Sequence, residues 1–292
     1  MKAALATLVL GEQVQDFWRR HCETGWRRYA ARHGLDLLVF TEPLDDSPRA
    51  RARSPAWQKC LVAGRREAAD YDRLVWLDAD VVVDPGSPCV IDGVPEDRVG
   101  AVVSGSYVLD DLKGILMERA LGRRDEDRLS LTPWTEYQRV FYLYEGLEPG
   151  FDRVIQTGVL VISPGRHREL LAAVYDDTRG EESRGYEQVA LSHEILRRDL
   201  LTPLNSRFNT LFYERMLVHY PYLLDRGLPA FDELASAAVT TERANSFFLH
   251  FAYDPSFADY LSEGPDEGGA TTPSAPGSPG SGPATKARAF SL

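Results

Sequence analysis

An acidic pair that follows an apolar run is the segment with the clearest chemical signature. Asp78 and Asp80 come directly after Leu74-Val-Trp-Leu77. Because unpaired carboxylates beside a hydrophobic wall are costly, a hard divalent cation such as Mg²⁺ or Mn²⁺ would stabilise them. In an extended strand the two side chains would lie on one face, about 6–7 Å apart along the chain. The pattern predicts a metal site at the end of a buried strand, with ordinary turn aspartates as the alternative.

Five more segments carry combinations of polar and apolar residues. In chain order these are Ser54-Pro-Ala-Trp-Gln-Lys59, Ile155-Gln-Thr-Gly-Val-Leu-Val-Ile162, Tyr186-Glu-Gln-Val-Ala-Leu191, Leu204-Asn-Ser-Arg-Phe-Asn209 and Phe247-Phe-Leu-His-Phe251. With the acidic pair, this series resembles the motifs of retaining GT-A glycosyltransferases, the group that contains bacterial and fungal galactosyl- and mannosyltransferases and plant xylosyltransferases. Each motif is weak alone, but the series covers most of residues 3–255. The resemblance implies an α/β fold of the GT-A type: a Rossmann-like, doubly wound mixed sheet in a single domain.

The resemblance also implies a role for each matching residue. Asp78, Asp80 and His250 would hold Mn²⁺ or Mg²⁺, which bridges the two phosphates of a nucleotide diphosphate sugar. The residues expected to bind the donor are Lys59, Trp57, Asp78, Gln156 and Arg207. A purely structural core residue is the alternative for both Trp57 and His250, and a solvated helix face is the alternative for Lys59.

Glu187 and Gln188 are the candidate catalytic residues. Retention by double displacement needs a carboxylate on the far side of the anomeric carbon, and Glu187 could serve. The resemblance implies instead a front-face attack, in which the leaving phosphate accepts the acceptor's proton and Gln188 lies near the anomeric carbon. Glu187 would then bind sugar hydroxyls, or simply be an acid favoured at a helix N-terminus.

Three positions depart from the family pattern. Gln156 stands where Asn is usual, and Glu187 stands where Asp is usual. After His250 the family often has a glycine and a lysine that contacts the donor phosphate, whereas residues 252–255 read Ala-Tyr-Asp-Pro. Part of the phosphate charge would then have to be neutralised by Arg207 or Arg53.

The expected activity is transfer of a hexose or pentose from a nucleotide diphosphate sugar to a hydroxyl of a small molecule or glycan, with UDP as the expected nucleotide. A haloacid-dehalogenase-like, Mg²⁺-dependent phosphohydrolase also uses two aspartates after a strand, but it needs a later lysine and an acidic pair. Lys113 is the one lysine between Lys59 and the C-terminal segment, and no paired-acid loop follows it. A non-catalytic carbohydrate-binding relative is the third alternative.

Strand and helix patterns alternate over the first hundred residues. Apolar residues at intervals of three and four predict a helix over 14–30, with Gly34 as its C-cap, and Pro55 opens a second helix. Uninterrupted apolar runs predict strands at Ala3–Leu10, Leu35–Phe40 and 73–77. This alternation is typical of a doubly wound α/β sheet.

One domain is expected over residues 1–262. It divides into a nucleotide-sugar-binding half at 1–103, a variable acceptor or lid region at 104–150, and an acceptor half with the metal-ligand histidine at 151–262. Residues 264–285 consist almost entirely of Gly, Pro, Ser, Thr and Ala, which predicts a disordered tail over 263–292.

Composition narrows the classes of partner. The 292 residues carry 33 basic and 44 acidic side chains, a net charge of −11, which argues against nucleic acid or an anionic membrane. No apolar run approaches the roughly 20 residues of a membrane span. The three cysteines are odd in number and widely spaced, so a cytoplasmic location is expected. Scarce lysine indicates GC-rich coding, as in actinobacteria, where a small natural product is a plausible acceptor. The oligomeric state is left open, a homodimer included.

Overall fold

The computed structural model describes residues 1–104, 142–143, 145–177 and 186–261. Most of the expected acceptor or lid region at 104–150, and the expected tail at 263–292, lie outside these residues. The domain boundaries therefore stay predictions.

Strands and helices alternate through the described part of the chain. The strands are β1 (Ala3–Leu8), β2 (Asp36–Phe40), β3 (Arg73–Leu77), β4 (Val81–Val83), β5 (Val99–Ser104), β6 (Val154–Ile162), β7 (Leu201–Pro203), β8 (Thr210–Leu211) and β9 (Phe248–His250). The α-helices are α1 (Glu12–Phe17), α2 (Glu23–His33), α3 (Pro48–Ala52), α4 (Pro164–Asp176), α5 (Gln188–Arg197), α6 (Phe212–His219) and α7 (Phe231–Asn245). A π-helical turn, Trp18–Cys22, joins α1 to α2, and 3-10 helices lie at Pro55–Gly64, Arg66–Ala68, Ser206–Asn209, Pro221–Leu224 and Pro255–Tyr260.

The central sheet has six strands in the order β2-β1-β3-β6-β5-β7. β1 pairs in parallel with β2 and β3, and β5 pairs in parallel with β7. β6 runs antiparallel to both of its neighbours, so the sheet is mixed. A smaller sheet, in the order β4-β9-β8, begins at the turn that follows β3.

Side chains of the central strands alternate between two hydrophobic cores, one on each face of the sheet. In β3, Val75 and Leu77 enter one core, whereas Leu74 and Trp76 enter the other. Helices α2 and α7 contribute to the first core, and α4 and the Pro55–Gly64 helix contribute to the second. Since burying one large apolar side chain contributes about 1.5–3 kcal/mol, the two cores hold β3 firmly in place.

The observed elements agree with the predicted alternation and differ from it in detail. All five residues of β3 are buried, as predicted for a strand covered on both faces. Gly34 ends α2 with φ 65°, a left-handed conformation that glycine adopts without strain. The helix predicted from Pro55 is a 3-10 helix. In the part of the chain that the structure describes, no helix has the length and apolar character needed to cross a membrane.

Candidate functional site

The sequence-predicted residues come from separate segments, several of which meet at the carboxyl end of β3. Ligands commonly bind at this edge of open α/β sheets. The segments contribute Lys59 from the Pro55–Gly64 helix, Asp78 and Asp80 from the turn after β3, Gln156 from β6, Glu187 and Gln188 from the start of α5, and His250 from β9.

Lys59 joins three of these segments. Its Nζ lies 2.9 Å from Asp78 Oδ1 and 2.7 Å from Glu187 Oε1, and it donates to the Thr157 carbonyl at 3.3 Å. Glu187 Oε1 accepts a further hydrogen bond from Thr157 Oγ1 at 2.7 Å. Asp78 Oδ1 accepts one from Trp76 Nε1 at 2.7 Å. These five residues are called the lysine cluster below.

The central ion pair of the lysine cluster is shielded from water. The side chains of Lys59 and Glu187 are each only 2% exposed. Burial by itself lowers the pKa of Lys59, but the carboxylates of Asp78 and Glu187 outweigh burial, and the net pKa lies above its ordinary value. Lys59 therefore stays a cation at neutral pH and places a fixed positive charge between the two carboxylates.

The backbone of β6 is irregular where it meets Lys59. β5 and β6 shift register between Ala101, which pairs with Leu160, and Val102, which pairs with Gln156. Residues 157–159 consequently leave the β5 ladder. Outside that ladder, the carbonyl of Thr157 is available to Lys59 Nζ. The irregularity thus turns a strand carbonyl into part of the site.

A second group, called the histidine cluster below, consists of Asp80, His250 and Asn209. His250 Nε2 lies 3.1 Å from Asp80 Oδ1, and His250 Nδ1 lies 2.8 Å from Asn209 Oδ1. The backbone sets this contact, because Val81 pairs with His250 between β4 and β9, and Phe251 N donates to the Asp80 carbonyl at 3.1 Å.

Asp80 and His250 shift each other's pKa in opposite directions. Burial lowers the pKa of His250, but the charge and hydrogen bond of Asp80 together with the charge of Asp78 raise it, and the net pKa lies above its ordinary value. Burial raises the pKa of Asp80, but the charge and hydrogen bond of His250, a backbone hydrogen bond and the charge of Lys59 lower it, and the net pKa lies below its ordinary value. Each group thus stabilises the charged form of the other, so a positive charge facing Asp80 is favoured.

Gly158 lies between the two clusters. A Cβ at this position would lie 2.4 Å from His250 Cε1 and 3.2 Å from Asp78 Oδ2. The imidazole therefore packs directly on the backbone of β6, and the carboxylate of Asp78 lies beside it. A side chain at position 158 would push the imidazole away.

The two aspartates do not lie on one face of an extended strand, as their spacing had predicted. β3 ends at Leu77, and a turn follows in which Val81 N donates to the Asp78 carbonyl at 3.1 Å. Asp78 and Asp80 therefore do not belong to an extended strand. Asp78 consequently contacts Lys59, whereas Asp80 contacts His250.

The histidine cluster fits one side of a divalent-cation site. Asp80 supplies a carboxylate and His250 an imidazole nitrogen, donors that suit Mn²⁺, and Asp78 offers a second carboxylate next to Gly158. Among the described residues, no group of three His, Cys, Asp or Glu side chains is arranged to hold a metal ion. Asp78 contacts Lys59 and Trp76 instead, so a three-residue ligand set stays a prediction.

The two candidate glutamines lie side by side. Gln188 Nε2 donates to the Ile155 carbonyl at 3.0 Å and lies 3.5 Å from Gln156 Oε1. Gln156 Nε2 donates to Ser104 Oγ at 3.0 Å. Both side chains are half-buried, so they can present amide groups to a ligand at the same edge.

The remaining predicted residues make contacts of their own. Trp57 is 4% exposed, and the guanidinium of Arg53 covers its ring at 4.5 Å. Arg53 also donates to the carbonyl of Tyr175 at 2.7 Å. Arg207 is exposed, lies 4.0 Å from the ring of Phe247 and donates through Nε to a main-chain carbonyl at 2.6 Å. The structure does not bring these three into the two clusters.

Two side chains of the helical segment formed by the π-helical turn and α2 donate hydrogen bonds to the backbone around the turn that contains Asp78 and Asp80. Cys22 Sγ donates to the Ala79 carbonyl at 3.4 Å, and Trp26 Nε1 donates to the Val81 carbonyl at 2.7 Å. Both donors are buried. A π-helical turn ends at Cys22, and such turns often mark functional sites.

Sequence reasoning missed three residues that complete the clusters. Trp76, Thr157 and Asn209 were not among the candidates, although each lies in or next to a matched motif. A polar group inside a motif of mostly apolar residues was the signal for Thr157, and a place inside a matched motif was the signal for Asn209. Trp76 gave no such signal, because it also packs in a core.

Comparison with known proteins finds likeness in structure alone. No family model and no curated protein matches this sequence. A solved glycosyltransferase involved in the glycosylation of the major capsid of PBCV-1 matches with a TM-score of 0.50 at 13% identity, over 89% of this chain and 97% of that chain. The galactosyltransferase LgtC, solved with donor and acceptor sugar analogs, matches with a TM-score of 0.47 at 14% identity, over 90% and 98%. Mouse xyloside xylosyltransferase 1 matches with a TM-score of 0.38 at 10% identity, over 86% and 98%.

At these identities the likeness defines the fold and no more. The mixed sheet with helices on both faces is the α/β fold of GT-A glycosyltransferases, in a single domain. The fold predicted from the sequence is confirmed.

Proposed function

We propose that this chain is a metal-dependent, retaining glycosyltransferase of the cytoplasm. It moves a sugar from a nucleotide diphosphate sugar, with UDP as the nucleotide, to a hydroxyl of a small-molecule or glycan acceptor. The observation that carries the proposal is the lysine cluster, in which side chains of three distant motifs meet at the carboxyl end of β3. The fold and the order of the motifs support the same function.

The charges of the site suit a donor that arrives with a cation. Lys59 carries one positive charge against the carboxylates of Asp78 and Glu187, so the lysine cluster by itself does not attract an anion. Asp78, Asp80 and His250 would hold Mn²⁺ or Mg²⁺, and the bound ion would supply positive charge that stabilises the departing nucleoside diphosphate.

The contacts of Glu187 favour front-face attack over double displacement. Glu187 is buried, pairs with Lys59 and accepts from Thr157, so it is held away from the role of a mobile nucleophile. Gln188 donates through Nε2 to a backbone carbonyl, which leaves its Oε1 as the dipole that can face the anomeric carbon. The acceptor hydroxyl then passes its proton to the leaving phosphate, and the new bond forms on the face that the phosphate leaves.

The test is a panel of nucleotide sugars incubated with the purified chain, with Mn²⁺ or with a chelator. We expect release of free UDP that depends on Mn²⁺ and on an acceptor. Asp80→Asn should reduce this release at least 100-fold, because it removes a carboxylate charge. Asp84→Asn is the matched control, since Asp84 accepts from Gly86 N outside both clusters.

Other outcomes identify the competing functions. Free phosphate from simple phosphoesters would favour the phosphohydrolase. Saturable binding of a nucleotide sugar without turnover would favour a non-catalytic carbohydrate-binding protein. Unchanged turnover in Asp80→Asn would contradict the metal assignment.

A further inference from the structure

Asn209 is a buried amide that faces the imidazole of His250. It ends the Ser206–Asn209 helix and is 1% exposed. Asn209 Oδ1 lies 2.8 Å from His250 Nδ1, and Asn209 Nδ2 donates to the Gln156 carbonyl at 3.4 Å. The amide thus bridges the imidazole and the irregular part of β6.

The second of these contacts decides which way the amide points. The Gln156 carbonyl can only accept, so the amide nitrogen of Asn209 must face it. Asn209 Oδ1 then faces His250, and since that oxygen can only accept, His250 Nδ1 must carry a proton. In the neutral ring the lone pair is therefore on Nε2, which lies 3.1 Å from Asp80 Oδ1.

We infer that Asn209 is a positioning residue, which holds His250 in the Nδ1–H tautomer and aims the Nε2 lone pair at Asp80. When the ring is neutral, two acceptors then face each other, and a cation between them, either a proton on Nε2 or a metal ion, stabilises the arrangement. Without Asn209, His250 would adopt the Nε2–H tautomer and donate to Asp80, which satisfies both groups with no cation. Asn209 thereby keeps the Asp80–His250 pair ready for a divalent ion.

This inference rests on the proposed metal-dependent function, but its first test needs neither metal nor donor. The tautomer of His250 is read from the ¹⁵N chemical shifts of the imidazole in the chelator-treated chain, at a pH where the ring is neutral. His250→Gln assigns the signals among the six histidines. We expect Nδ1–H in the wild type and in Asn209→Asp, whose carboxylate also accepts, and Nε2–H in Asn209→Leu.

The second test is the affinity for Mn²⁺ alone, measured by calorimetry. Asn209→Leu should bind Mn²⁺ 10- to 100-fold more weakly, the usual effect of losing a partner of a ligand histidine. Asn209→Asp should stay within a few-fold of the wild type. Asn205→Ala is the matched control, because Asn205 caps the same short helix by accepting from Arg207 N.

The two readouts separate failure of this inference from failure of the proposed function. An Nδ1–H tautomer in Asn209→Leu, or an Mn²⁺ affinity in that variant equal to the wild type's, would overturn the role of Asn209. If Asn209→Leu does not fold, Asn209→Ala replaces it with the same expectations. Absence of Mn²⁺ binding in the wild type, with the tautomer as expected, would overturn the metal-dependent function alone.

Discussion

Lys59 illustrates how single residues of this site depend on one another. Its ammonium group is buried together with Glu187, and the pair is satisfied by further contacts to Asp78 and Thr157. A buried ion pair contributes little net stability, but loss of one partner leaves an uncompensated charge in a low-dielectric environment. Without Lys59, the buried carboxylate of Glu187 would therefore lack a compensating charge.

Removal of the lysine charge is expected to destabilise the fold strongly. Lys59→Met should lower the free energy of unfolding by about 3–5 kcal/mol, because Glu187 would remain buried without its cation. The double variant Lys59→Met/Glu187→Gln should recover part of that loss. Urea unfolding of the four members of this cycle gives the measurement, and a loss below about 1 kcal/mol in Lys59→Met would refute the coupling.

The Asp80–His250 pair predicts a pH dependence of stability in the presence of chelator. The pKa of His250 is raised from 6.5, so its contribution is full below that value and is lost as pH rises through the folded-state pKa. The pKa of Asp80 is lowered from 3.8, so its contribution is full above that value and is lost as pH falls through the folded-state pKa.

The pair should therefore stabilise the fold most between these two values. The difference in unfolding free energy between the wild type and His250→Gln should be larger at pH 5 than at pH 9, as measured with urea. His219→Gln, at an exposed histidine, should show a smaller change between the two pH values. An equal difference at both pH values would contradict the pairing.

At the scale of elements, strand β6 is the part that brings the clusters together. Its register shift opposite β5 exposes the Thr157 carbonyl to Lys59, and Gly158 lets the imidazole of His250 lie on the strand. The turn after β3 is braced by Cys22 and Trp26 from the other side. Backbone irregularity and glycine placement thus shape this edge together with the helices around it.

Gly158→Ala tests the role of β6. The added methyl would lie 2.4 Å from His250 Cε1, so the imidazole must move, and we expect a loss of about 1–3 kcal/mol. The rise in melting temperature caused by UDP with Mn²⁺ should disappear as well. Gly165→Ala is the control, because a Cβ there meets no atom within 4 Å. An undiminished response to UDP and Mn²⁺ in Gly158→Ala would show that the imidazole is not needed at this place.

At the scale of the whole molecule, the charge of −11 opposes the approach of an anionic donor. Under the proposed function, one metal ion held by a few buried side chains compensates the negative charge of the donor. A broad basic surface is then unnecessary, and the acidic character of the chain is compatible with a nucleotide diphosphate.

The salt dependence of UDP binding distinguishes charge compensation by one metal ion from compensation by an extended basic surface. With Mn²⁺ held constant, raising NaCl from 50 to 300 mM should leave the Kd of UDP within about three-fold or lower it, because added salt screens the repulsive field of the protein. Calorimetric titration at both concentrations is the measurement. A ten-fold weakening at the higher concentration would indicate an extended basic surface and contradict the local site.

The sequence by itself predicted strands β1, β2 and β3 and the helical segments between them, because periodicity and caps are local properties. It also determined the order of motifs from which the fold was predicted. It did not determine the turn that sends Asp78 to Lys59 and Asp80 to His250. Nor did it indicate that Asn209 orients His250, a contact between residues 41 positions apart. Only the tertiary structure decided these pairings, because they depend on how two cores and an irregular β6 pack together, and no short segment of sequence encodes that packing.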